Sequence, residues 1–245
     1  MLPKIARVAC LALALLPGPA KASNKPSDLA DFNAAVEAAE SHNRVAIGYL
    51  RTGNVDLASL EIDRLHESWS VLQQRFAGKP PEAFAGVERY GTLWTVVTAR
   101  LVAADLMLKN GRPDAASQSL DAIRGDLYDL RKAAGIAALT DCVRDANTAM
   151  VALMLYNDRA LDWTKVETHD DVANKASRYG AVLDRCDGMA RDAVRQAPEF
   201  RRLIDGAKAS LALIPKAVAT RDGDLLHRLL IELRSFDNLL AFRFG

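Results

Sequence analysis

Residues 53–58 read Gly-Asn-Val-Asp-Leu-Ala, and residues 111–116 repeat the pattern as Gly-Arg-Pro-Asp-Ala-Ala. The shared Gly-x-x-Asp-x-Ala decides the fold through the series that each copy opens. After Asp56, apolar residues fall at Ala58, Ile62, Leu65, Trp69, Leu72 and Phe76, a 4,3,4,3,4 spacing. That is the seam of a helix packed lengthwise on others. Asp114 opens the same series with Ala116, Leu120, Ile123, Leu127, Leu130 and Ala134. Asp170 opens it with Val172, Ala176, Tyr179, Leu183, Cys186 and Ala190. Asp224 opens it with Leu226, Leu230 and Leu233, then Asp237, then Leu240 and Phe244. The four aspartates recur at a nearly constant interval. Each is placed to serve as an N-cap or first-turn carboxylate at the positive end of a helix.

A second helix with the same seam precedes each of these. The four leading seams run from Leu29 to Leu50, Tyr90 to Leu108, Cys142 to Ala160 and Phe200 to Val218, the first interrupted by Asn43. No alternating β-branched run lies between turn clusters. The chain therefore reads as all-α: four long helical hairpins, about eight helices. Breakers agree with this division. Residues 78–86 (GKPPEAFAG), 133–141 (AAGIAALTD) and 195–200 (RQAPEF) separate the hairpins, and Pro215 is expected to kink the seventh helix or end it early. The composition shift at 133–141 divides the chain into residues 23–135 and 136–245, with two hairpins in each.

Residues 1–22 read as a secretory leader. Lys4 and Arg7 precede an apolar run from Val8 to Leu16, and Pro17-Gly18-Pro19 leads to Ala20-Lys21-Ala22, with cleavage expected after Ala22. Cys10 lies too early in the leader to anchor a lipid. The apolar run is too short to span a bilayer, and no later stretch reads as apolar enough to span one, so no membrane insertion is expected. The mature chain is expected to be periplasmic or secreted. Removing the leader takes away three of 32 basic residues and none of 31 acidic ones, leaving a net charge of −2. That balance gives no electrostatic reason to bind nucleic acid or an anionic membrane.

Two cysteines remain, Cys142 and Cys186. Both are seam residues at one level of the third hairpin, so an oxidising compartment would join them as a disulfide; two buried thiols are the alternative.

Two arrangements stack four hairpins: two up-down four-helix bundles, or a solenoid of α-hairpins. The turn at Gly53 resembles that ahead of the second helix in tetratricopeptide repeats, but those repeats are much shorter, as are their helices. The strict 4,3 seam favours bundles. The final stretch, residues 224–245 (DLLHRLLIELRSFDNLLAFRFG), resembles the last helix of exported bundles of the cytochrome c-prime and cytochrome b562 type. The chain lacks C-x-x-C-H, which rules out covalent haem, so the resemblance implies a haem-free scaffold and assigns no residue.

Candidate chemistry is sparse. His42 and His66 flank the first turn, with Glu40, Asp63 and Glu67 nearby, and could together hold Zn²⁺ or Cu²⁺. Two polar residues beside the seam are the plainer reading, and no cofactor is expected. Asp237 is the one carboxylate on the eight seams; Phe236 beside it is expected to take the core position and turn Asp237 outward, the alternative being a buried carboxylate that pairs with an arginine such as Arg234 or Arg243 or lines a pocket. Trp163 lies in residues 161–171 (LDWTKVETHDD), the longest connection within a hairpin, flanked by Asp158, Lys165 and Glu167. An aromatic at a loop tip marks a candidate interaction surface, the alternative being that Trp163 simply covers the bundle end. No G-x-S-x-G, phosphate loop or nucleophile set occurs, and no enzymatic activity is expected. The chain thus reads as an exported helical binding or interaction module for a protein or small ligand. The alternative is a periplasmic metal or redox-cofactor binder derived from a cytochrome-like bundle.

Overall fold

The structure, a computed structural model, describes residues 28–157 and 161–245. The leader-like residues with Cys10, and also Asp158, lie outside the described residues. Among those described, the chain is all-α with no strand. Helices α1 (Asp28–Arg51), α2 (Val55–Phe76), α3 (Glu88–Lys109) and α4 (Pro113–Ala133) form the first half. The second half holds α5 (Leu139–Met154), α6 (Val166–Met189), the single turn α7 (Asp192–Arg195), α8 (Pro198–Leu211), α9 (Ile214–Ala219) and α10 (Gly223–Phe244).

The repeated glycine is a helix terminator. At the end of α1 the amide of Asn54 donates to the carbonyl of Tyr49 (2.9 Å) and that of Gly53 to Leu50 (3.1 Å), with Gly53 at φ +78°. The end of α3 repeats this: Arg112 donates to Met107 (2.8 Å) and Gly111 to Leu108 (2.9 Å), with Gly111 at φ +68°. This is the Schellman turn, which uses a left-handed residue to satisfy the last carbonyls. The next helix then starts almost at once, with Asp56 or Asp114 in its first turn.

The other two hairpins depart from the pattern. Asp222, not Asp224, caps α10, its side chain accepting from the amide of Leu225 (2.8 Å). The Schellman turn ahead of it is closed by Arg221 at φ +56°, the one non-glycine with positive φ among the described residues. In the third hairpin, Asp162 accepts from the amide (3.1 Å) and hydroxyl (2.6 Å) of Thr164, and that local turn starts α6 at Val166. Asp170 therefore sits in the second turn of α6 rather than at its start. The leading helix of this hairpin, expected to reach Ala160, already ends at Met154. Pro215 acts as expected: α8 stops at Leu211 and α9 restarts with Pro215 in its first turn.

The hairpins close into two bundles rather than a solenoid. In the first, α1 packs on α2, α2 on α3, α3 on α4, and α4 back on α1. In the second, α5 packs on α6, α6 on α8 and α9, and both of these on α10, which returns to α5. Buried side chains fall into two matching clusters, Phe32 to Leu130 and Cys142 to Leu240. Phe84, from the Pro-rich connection, joins the first cluster, 5.0 Å from the ring of Phe32.

Helix α3 alone among the described helices is long and apolar enough to cross a membrane by length and composition, which corrects the expectation that no later stretch qualifies. Here its Tyr90, Trp94, Val97, Leu101 and Ala104 enter the first core, and its two central charges turn sideways, Arg100 to Asp126 of α4 and Asp105 to His66 of α2.

Candidate functional site

Three polar assemblies stand out. The first joins the two bundles. Arg131 of α4, 5% exposed, donates to both oxygens of Asp141 at the start of α5 (2.8 and 2.6 Å) and faces buried Glu40 of α1 at 3.7 Å. Arg44 donates to Glu37 (2.6 Å) and to the main-chain oxygen of Gly245 (2.9 Å). Burial pushes the Glu40 carboxyl above the usual carboxylate range, and Arg131, Arg44 and Arg124 oppose that shift. Gly48 gives room for the ring of Phe242, since a Cβ there would stand 3.1 Å from it.

The second assembly is Asp237, which is fully buried and not turned outward. Phe236 packs against Gly206 of α8, where a Cβ would collide with the ring at 2.6 Å. That contact fills the position beside the seam and leaves Asp237 on it. One carboxylate oxygen accepts from Asn147 of α5 (2.6 Å) and from Arg234 (3.2 Å). The Tyr179 hydroxyl of α6 faces the same carboxyl, but neither it nor the second carboxylate oxygen completes a well-formed hydrogen bond. Desolvation raises the Asp237 carboxyl to about 6, with Asn147 and Arg234 opposing, and burial pushes the Tyr179 hydroxyl up as well. Asp237 and Tyr179 are closed off from solvent, whereas Arg234 and Asn147 stay partly exposed.

The third is an open groove of about 550 Å³ between α5 and α6. One wall is α5, with Asp145, Thr148, Ala149 and Ala152. Helix α6 supplies Asn174, Lys175, Arg178, Val182 and Arg185, with Asp171 at the end. Successive α6 positions lie about one helical turn apart, so they form one ridge. Lys175 pairs with Asp171 (2.5 Å) and Arg185 with Asp145 (2.5 Å). Asp145 also accepts from Tyr128 of α4 (3.3 Å), which ties the groove to the first bundle. Cys142 and Cys186 are bonded, with Cα atoms 5.4 Å apart, and pin α5 to α6 near this end. Arg185 Nε stands 3.4 Å from the Cys142 sulfur.

The residues singled out in the sequence lie elsewhere. His42 Nδ1 meets Glu61 (2.7 Å) across the first hairpin, whereas His66 Nε2 meets Asp105 of α3 (2.9 Å). The two imidazoles thus point to different helices, and Asp63 and Glu67 partner neither of them. No group of three or more His, Cys, Asp or Glu side chains able to hold a metal ion occurs among the described residues. Trp163 is half-buried rather than exposed at a tip. It packs on the second core, its ring centroid 5.5 Å from His169, whose Nε2 lies 3.1 Å from the Trp163 carbonyl oxygen. Its indole edge lies against Gly223 at the start of α10, so it covers the end of the bundle.

The groove itself was not singled out in the sequence, because no motif marks it. The signal present was the run Asn174, Lys175, Arg178 and Arg185 on one face of α6, beside a leading helix with alanines at the facing level. Compared with known proteins, the chain matches no family, no curated protein and no solved structure.

Proposed function

We propose that this protein is an exported, non-enzymatic helical binding module whose ligand surface is the α5–α6 groove of the second bundle. The groove's volume, about 550 Å³, carries the reading, since it falls within the range of small-molecule sites. Its walls support it: two helices crosslinked near one end give a largely preformed cleft. The leader-like residues 1–22 and the cystine are both compatible with export.

The test is native mass spectrometry of the protein recovered from the exported fraction. The mature chain should begin at Ser23 and carry a small molecule. Ala152→Trp, which fills the groove from α5, should abolish that adduct while leaving helicity intact. An unprocessed chain, or an adduct indifferent to Ala152→Trp, would refute the proposal.

A further inference from the structure

Resting on the groove reading, we infer that the ligand is a small amphiphilic carboxylate, its acid group paired with Arg178 and its apolar part lying over Ala149, Ala152 and Val182. The charge pattern argues for this. The groove holds three cations, Lys175, Arg178 and Arg185, and two carboxylates, Asp171 and Asp145. Both carboxylates are engaged, Asp171 by Lys175 at 2.5 Å and Asp145 by Arg185 at 2.5 Å. Arg178 has no ion pair among the described residues, so the groove is left with one positive charge. A cationic ligand would have to share a carboxylate that already holds a cation; a monoanion meets a guanidinium with no ion pair to share.

Geometry narrows the acid group. A guanidinium is a planar fork that takes both oxygens of a carboxylate at once. Asn174, one turn back on the same ridge, adds a neutral amide donor about 6 Å along the axis. Thr148 faces this ridge from the opposite wall, its hydroxyl already donated to the carbonyl of Arg144 (3.1 Å). The remaining lining is small and apolar, so a short hydrocarbon stem gains burial there, at about 25 cal/mol per Å² of area covered.

The experiment titrates the mature protein with octanoate, octanamide and octylamine, reading amide shifts by NMR. Octanoate should saturate one site, with shifts confined to α5 and α6. Octanamide should bind at least tenfold more weakly, and octylamine not at all. Arg178→Gln should reduce octanoate to the level of octanamide, whereas Arg202→Gln, on exposed α8 surface, should leave it unchanged. Equal binding of octanoate and octanamide, or undiminished binding to Arg178→Gln, overturns the inference. If none of the three probes binds while Ala152→Trp still removes the natural adduct, the carboxylate assignment fails and the groove reading stands. If the adduct survives Ala152→Trp, both fall.

Discussion

The two bundles start from the same seam and finish differently. The first is four unbroken helices around a stack of rings: Phe32 lies 5.4 Å from Phe76 and 5.0 Å from Phe84, and Trp94 lies 5.4 Å from Tyr90 and 5.3 Å from Trp69. The second has a leading helix of only 16 residues, a helix broken ahead of Pro215 into α8 and α9, a carboxylate in its core and a crosslink. Irregularity there shapes the surface between α5 and α6. Helix α5 ends early, its connection folds back onto α6 through Tyr156 and Asp171, and the cleft between the two helices stays open. The first bundle spends its interior on packing, and the second leaves part of its surface free for contact.

That contrast breaks first at Phe32. Phe32→Ala deletes the ring at the centre of the aromatic stack and should destabilise the first bundle by about 3–5 kcal/mol. Its melting transition should fall in calorimetry while amide protection in α6 and α10 is kept. Equal loss of protection in both bundles would show that they unfold as one unit and that the contrast has no energetic meaning.

The converse change is Cys142→Ser with Cys186→Ser. Opening a crosslink across 44 residues should cost the second bundle about 3–4 kcal/mol from loop entropy. Hydrogen exchange should then quicken in α5 and α6 and stay unchanged in α2 and α3. Unchanged exchange throughout would mean the crosslink does not hold the groove's walls.

Asp237 sharpens the comparison through pH. Its carboxyl sits at about 6 in the folded chain against 3.8 for the free group. The folded state therefore holds the proton more tightly, and the stability this confers is complete below about pH 4. It is lost as pH rises through about 6 and amounts to roughly 3 kcal/mol. Asp237→Asn should flatten the pH dependence of denaturant unfolding for the second bundle across this window. The wild-type slope persisting in the variant would place the titrating group elsewhere, with Glu40 the next to test.

The smallest effect is expected at Arg221. A non-glycine residue held at φ +56° is strained, so Arg221→Gly should raise stability by about 0.5–1 kcal/mol, unlike a glycine placed within a helix. A lower melting temperature would show that the arginine side chain compensates for its backbone.

Much of this fold is legible in the residues themselves. The seams from Ala58 to Phe76 and from Ala116 to Leu130 enter the core residue for residue, because a 4,3 spacing admits one buried face. The cysteine pairing is legible for the same reason: both lie on seams at a common level. Where the reading fails, a local or distant contact overrides the pattern. Asp162 starts α6 early through a turn of its own, and Phe236, seated on Gly206, leaves Asp237 inside. His42 and His66 share a level along the first hairpin but not a side, since Glu61 and Asp105 belong to different neighbours. The groove is a space between helices, and spacing along a chain does not report how far two helices stand apart.

Asp145 belongs to two structures at once. It accepts from Arg185, a wall of the groove, and from Tyr128, on the first bundle. An occupant held by Arg178 leaves both of these bonds in place. Removing Asp145, by contrast, would free Arg185 and Tyr128 together, so one substitution reaches both the groove and one of the contacts at the joint.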